Sequence, residues 1–204
     1  MKITIISGSH RQNSQSTKIS KVINSALELL PQCDEQYLFD LANVPMPLWD
    51  EGIWNGENKW KTLLGPISEQ LASSDAFVII SPEWHGMVPA GLKNFFLMWS
   101  KGELSHKPAL IVTVSNADGG SYPVAELRMS SYKNNRICFL PEHLIIRNVE
   151  SVFNADDKDN SSKAQPYFEA RLDYCLKQLL TYGKAFKQIR TSDTVSLKTY
   201  GSGM

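Results

Sequence analysis

The chain has little that would commit it to a metal, a disulfide framework or a charged polymer. Its cysteines number three, Cys33, Cys138 and Cys175, far apart and without a Cys-x-x-Cys pair. An odd, scattered set of this kind argues against a disulfide scaffold and against a zinc site, and it suits a reducing cytoplasm. Neither sign of charge is in excess, with 21 Lys plus Arg against 21 Asp plus Glu. No global field therefore favours nucleic acid or an anionic membrane, and any charged ligand must be held locally. Long apolar runs are also missing. One lysine and a short apolar stretch at the start do not make a signal peptide or anchor, and no later segment is long enough to span a bilayer, so a soluble cytoplasmic protein is expected.

Catalytic signatures are absent too. His10, His85, His106 and His143 are scattered, no H-E-x-x-H occurs, and no G-x-S-x-G elbow supports a hydrolase. We find no catalytic constellation of side chains and expect no metal.

What the chain does have is alternation. Short β-branched or apolar runs at 2–7, 35–39, 76–81, 109–115 and 143–149 alternate with helical spacing at 16–30, 58–73, 90–100 and 122–137. That rhythm predicts α/β units around a parallel sheet. Several runs are continuously apolar, as in strands covered on both faces. A final helix is marked by Phe168, Leu172, Leu176, Leu179, Phe186 and Ile189. With 204 residues the expectation is one domain over 1–191 and a mobile tail over 192–204.

In open parallel sheets the ligand lies at the carboxyl ends of the strands, so the loops after the strands carry the function. The first, SGSHRQNSQST (7–17), leads into a helix. It offers free backbone N–H groups, the positive end of a helix dipole, the hydroxyls of Ser9, Ser14, Ser16 and Thr17, and the planar fork of Arg11. A terminal phosphomonoester suits it. Walker A is excluded because Asn13 and Ser14 stand where its second glycine and lysine belong. The dinucleotide fingerprint is excluded because His10 and Asn13 stand where its second and third glycines belong. A serine-rich turn that merely caps a helix remains the alternative.

The second loop, SPEWHGMVPAGLKNFFLMWS (81–100), is stiffened by Pro82, Gly86, Pro89 and Gly91. In a sheet of order 2-1-3-4-5 it lies beside the first loop, across the switch point between strands one and three. Charge-assisted phosphate contacts contribute about 1.5 to 3 kcal/mol each, whereas nanomolar retention needs about 12 kcal/mol. A flat aromatic ligand body would supply part of the remainder, and Trp84 offers a surface for it. Taken singly, Trp84 and His85 also fit an ordinary surface loop.

GSHRQNS together with SPEWHG...PAGLKN resembles the NADPH-dependent FMN reductase family, which includes quinone, azo-dye and chromate reductases. The family pattern is close to G-S-x-R-x-x-S after strand one and S-P-E-Y-N-G-S-x-P-G-x-L-K-N after strand three. Here Trp84 replaces tyrosine, His85 asparagine, Met87 serine and Ala90 a small residue. DLANVPMPLWDE extends the similarity, which weakens toward residue 149. The resemblance implies a flavodoxin-like three-layer sandwich, a five-stranded parallel sheet with helices on both faces. It also implies bound FMN, with the phosphate on Ser9, Arg11, Ser14, Ser16 and Thr17 and the ring against Pro82, Glu83, Trp84, His85 and Gly86. Ser115 and Gly119, in SNADGGS (115–121), are added as a loop closing over the flavin.

The implied activity is hydride transfer from NADPH or NADH to FMN and on to a small-molecule acceptor such as free flavin, a quinone or an azo compound. A flavodoxin-like electron carrier is the main rival, and a phosphate-binding hydrolase or sugar-phosphate binding protein a third reading. Leu92, Phe95, Phe96, Leu97, Met98 and Trp99 make an apolar surface wider than one stripe. A homodimer or dimer of dimers through this helix and the one at 122–137 is expected, with PMPLWDEGIW near the partner's flavin as in the family.

Overall fold

A computed structural model describes residues 1–201. Five strands form one parallel sheet in the order β2-β1-β3-β4-β5: β1 (Lys2–Ser7), β2 (Glu35–Asp40), β3 (Ala76–Pro82), β4 (Pro108–Val114) and β5 (Cys138–Ile146). The helices are α1 (Gln15–Glu28), α2 (Gly52–Asn55), α3 (Asn58–Ser73), α4 (Ala90–Met98), α5 (Ser121–Met129) and α6 (Ala164–Arg190). The expected flavodoxin-like order and parallel pairing are both present.

Period two along the strands divides the core into two layers. Ile3, Ile5, Val78 and Ile80 face α1 and α6, meeting Ile19, Ile23, Leu172 and Leu176. Ile6, Phe77 and Ile79 face α3, α4 and α5, meeting Trp60, Leu64, Leu92, Phe95 and Leu127. Every residue of β3 and β4 is buried, which is why those segments read as unbroken apolar runs.

Two of the expected elements differ clearly in their bounds. β5 begins at Cys138, five residues earlier than its apolar pattern suggests, because Pro141 and Glu142 interrupt the run; proline is tolerated there since β5 is an edge strand. α5 ends at Met129 rather than near 137. The Ser130 and Ser131 hydroxyls donate back to the carbonyls of Glu126 and Leu127 at 2.7 and 3.0 Å, a local bonding pattern that competes with helix continuation.

Of the expected tail, residues 202–204 lie outside the described residues. Before them, Arg136 donates to the Tyr200 carbonyl and Leu197 Cδ1 sits 2.5 Å from where a Cβ on Gly102 would stand. Among the described residues no helix is long and apolar enough to cross a membrane.

Candidate flavin-binding site

The carboxyl ends of β1, β3 and β4 bring three loops together. The first leaves β1 at Gly8, whose N–H donates to the Ile80 carbonyl at 2.8 Å. A Cβ there would stand 2.5 Å from that carbonyl and 2.6 Å from Leu92 Cδ2, so glycine is required for the loop to stay against β3 and α4.

α1 then starts with Ser14 as N-cap, its Oγ accepting from the Thr17 N–H at 3.1 Å. Thr17 Oγ1 donates to Asp40 Oδ2 at 3.0 Å, and Asp40, 5% exposed, also takes the Ala42 N–H. The Thr17 proton is thereby spent inside the protein. Ser9 Oγ accepts from the Arg11 N–H at 3.3 Å.

Ser16 is different. It is 1% exposed, and its Oγ has no hydrogen-bond partner; Gln15 Oε1 and Ser7 Oγ are likewise buried and unpartnered. Buried hydroxyls are almost always paired, so an unpaired one at a helix start marks a place for a ligand's acceptor. No acidic side chain occupies the first turn of α1. Arg11 is exposed, and its guanidinium has no hydrogen bond or ion pair among the described residues. The donor set at the helix start fits a phosphate: uncommitted helix N–H groups, the uncommitted buried Ser16 hydroxyl and the free Arg11 guanidinium.

The second loop is a tight hairpin. Trp84 and Met87 exchange N–H···O bonds of 3.0 and 2.9 Å, with φ of 52° at His85 and 73° at Gly86. Both central residues are left-handed, as in a type I′ turn, which Gly adopts freely and His more readily than branched residues do. The half-buried Trp84 meets the His10 ring edge-on, centroids 4.7 Å apart at 84°. His10 Nδ1 also fills the space over Gly91, where a Cβ would stand 3.0 Å away. The first two loops therefore touch through His10. His85 itself is exposed.

Glu83 turns toward the third loop. Its Oε2 accepts from the Gly120 N–H at 2.5 Å, and a Cβ on Gly119 would stand 2.8 Å from Oε1. Gly120 has φ of 102°, and its carbonyl accepts from Thr113 Oγ1 at 2.7 Å. Just past β5, Arg147 donates to the Gly119 carbonyl and to Ser121 Oγ at 3.1 and 3.2 Å. Ser115 Oγ accepts from the Ala117 N–H at 3.2 Å, and Pro82 is the last residue of β3.

The structure thus gathers Ser9, Arg11, Ser14, Ser16 and Thr17 around the start of α1, and Glu83, Ser115 and Gly119 around the third loop. His10 joins the first group to Trp84. Sequence reading missed His10, Asp40, Gln15 and Arg147. Asp40 opens the quoted DLANVPMPLWDE, but nothing local marks its bond to Thr17.

The loop after β2 is pinned by buried Asn94, whose Oδ1 accepts from the Trp49 N–H and whose Nδ2 donates to the Pro47 carbonyl, both at 2.8 Å. Beside it, between α4 and α5, runs a groove of about 720 Å³ walled by Trp49, Trp54, Phe96, Leu97 and Leu127. Leu92, Phe95, Phe96, Met98 and Trp99 are covered within the chain itself; Leu97 is 61% exposed.

Comparison with known proteins agrees with this architecture. The family model described as NADPH-dependent FMN reductase matches residues 1–150. An NADPH azoreductase from Bacillus sp. (strain OY1-2) is 22% identical over 192 residues, covering 93% of this chain and 97% of that protein. A quinone reductase from Pseudomonas putida is 26% identical over 176 residues, covering 84% of this chain and 90% of that one. Among solved structures, the flavoenzyme NAD(P)H:(acceptor) oxidoreductase FerB from Paracoccus denitrificans superimposes with a TM-score of 0.71 at 17% identity, covering 91% of this chain and 98% of that one.

Proposed function

This chain belongs to the NADPH-dependent FMN reductase family, and from that premise we propose that it is an enzyme passing reducing equivalents from NADPH or NADH through bound FMN to a small-molecule acceptor. The observation that carries the reading is the unpaired, buried Ser16 hydroxyl at the start of α1, beside the loop that bears the free Arg11. When bound, FMN supplies the hydride-accepting and hydride-donating chemistry. The chain's own task is to hold and orient it. Ser16, the first N–H groups of α1 and Arg11 take the phosphate, while Ser9, Ser14 and Thr17 shape the cradle through their internal bonds. Trp84 and the type I′ turn of His85 and Gly86, with Pro82 behind them, form the platform for the ring. Glu83 holds Ser115 and Gly119 in register with that platform. We take residues 1–191 as one FMN-binding domain in a reducing cytoplasm, with 192–204 outside it.

The acceptor is read as a quinone, azo compound or free flavin, since the relatives bear the names of azo and quinone reductases. The test is NADPH oxidation followed at the nicotinamide band with FMN-loaded protein and a quinone. Turnover beyond one equivalent supports an enzyme; a single equivalent and no more identifies a carrier and ends the proposal.

The reading includes a homodimer through α4 and α5, alone or paired into a dimer of dimers. Exposed Leu97 and Trp54 line the groove and exposed Tyr122 and Met129 lie on α5, and an apolar set of this extent on a charge-balanced chain calls for cover. Light scattering at micromolar concentration should give twice the chain mass or a multiple of it, and Leu97→Glu should lower it; a monomer mass for the unaltered protein removes this part.

A further inference from the structure

A second cavity, of about 260 Å³, opens at the outer edge of the sheet between the end of β5 and the first turns of α6. No residue of the β1 or β3 loops lines it, while Arg147 and Ile145 connect it to the third loop at Gly119 and Gly120. Its lining is of two kinds. Leu144 and Phe168, both core residues, give an apolar wall, whereas His143, Arg147 and Arg171 bring nitrogen donors.

The charges there do not cancel. Arg171 is paired with Glu142 and lies over the Tyr174 ring at 5.4 Å. Arg147 donates only to neutral oxygens, the Gly119 carbonyl and Ser121 Oγ, and no carboxylate pairs with it among the described residues. Arg128 approaches from α5, bonded to the Leu140 and Pro141 carbonyls. Two arginines thus line the cavity, and Glu142 pairs with only one of them. His143 is half-buried and lines the cavity beside them. Burial, then the field of Arg128, lowers the His143 pKa against the opposing pull of the Pro141 carbonyl and Glu142.

We infer that this cavity is a binding site for a small organic carboxylate, its anionic end held by Arg147, Arg171 and His143 and its apolar body against Leu144 and Phe168. The volume is below that of a drug-sized pocket and suits a single ring or a short aliphatic acid. The planar guanidinium groups suit a carboxylate, and the apolar wall favours an organic anion over a fully hydrated inorganic one.

The test is a proton NMR titration of the full-length, FMN-loaded protein with sodium benzoate. Four histidines make the ring resonances countable, and His143→Gln assigns one by its loss. Benzoate should move the His143 resonance saturably and bind at least about tenfold tighter than neutral benzamide, the scale of one charge-assisted hydrogen bond. Arg171→Gln should weaken benzoate by about tenfold, whereas Glu142→Gln, which removes the competing carboxylate, should tighten it. A His143 resonance unmoved by benzoate, or moved equally by benzamide, overturns the site. Shifts confined to His10 and His85 would put benzoate at the flavin loops and overturn it as well. An equal response to inorganic phosphate would overturn the assignment to an organic anion.

Discussion

Replacing Ser16 by alanine should push two measurements in opposite directions. In the empty protein its Oγ is buried with no partner, and an unsatisfied buried polar group costs about 1 to 3 kcal/mol. Deleting the oxygen relieves that cost and leaves a hole of only one atom, for which a cavity term of a few tenths of a kcal/mol is subtracted. The apo variant is therefore expected to be more stable than the unaltered protein by about 1 kcal/mol, which in a chain of this size raises the melting temperature by roughly 2 to 4 °C. FMN binding goes the other way. A hydroxyl donating to a phosphate contributes about 1.5 to 3 kcal/mol, so its loss weakens FMN by about tenfold to a hundredfold. Calorimetric melting of apoprotein and flavin-fluorescence titration read the two quantities independently. An apo variant that melts lower, together with an FMN affinity unchanged within about twofold, would mean that Ser16 is an ordinary packing residue and the phosphate lies elsewhere.

Other sites give sharper single outcomes. Arg11→Ala should weaken FMN by about tenfold while leaving riboflavin affinity and apo stability unchanged, because its free, exposed guanidinium has only a phosphate to meet; equal losses for both flavins would put Arg11 at the ring. Glu83→Ala leaves the Gly120 N–H without its acceptor at 2.5 Å and should cost about 1 to 3 kcal/mol in urea unfolding, with Glu83→Gln restoring more than half; no loss in the alanine variant refutes the clamp. Lys107 Nζ donates to the carbonyls of Leu71, Ala72 and Glu103, each at 2.7 Å, and so closes the end of α3; Lys107→Met should cost about 3 kcal/mol or more. Burial lowers the Lys107 pKa from 10.5 to about 7, so between those values the unfolded chain binds the extra proton and stability rises with pH. Urea unfolding across that window should show the rise in the unaltered protein and its loss in the methionine variant.

Much of the scaffold was legible because it rests on local pattern. β1 and α3 fall where apolar period and flanking polar residues put them, at Lys2–Ser7 and Asn58–Ser73. Where pattern is short or broken, legibility fails. α2 has four residues and closes on Gly56 in the left-handed region, too little for a helical period to register. β5 hides its first half behind Pro141. The position of the loops could be read, since strand order places the turns after β1 and β3 side by side.

The commitments of individual side chains could not be read, and the physical reason is sequence separation. Ser14, Ser16 and Thr17 look equivalent as hydroxyls before a helix. Only the fold distinguishes them, by bringing Asp40 from 23 positions away to take the Thr17 proton while bringing nothing to Ser16. Glu83 likewise looks like a ligand of the ring until Gly120, 37 positions on, takes its carboxylate. A residue whose bonding capacity is already filled by distant partners supports the cradle; one left unfilled in a buried place is free to bind. Ser14, occupied by the Thr17 N–H, therefore gives the control for Ser16. Ser14→Ala removes an N-cap and should lower apo stability by about 1 kcal/mol, opposite in sign to the effect at Ser16 two residues on. Two serines that shifted apo stability alike would show that the bonding pattern does not separate cradle from contact.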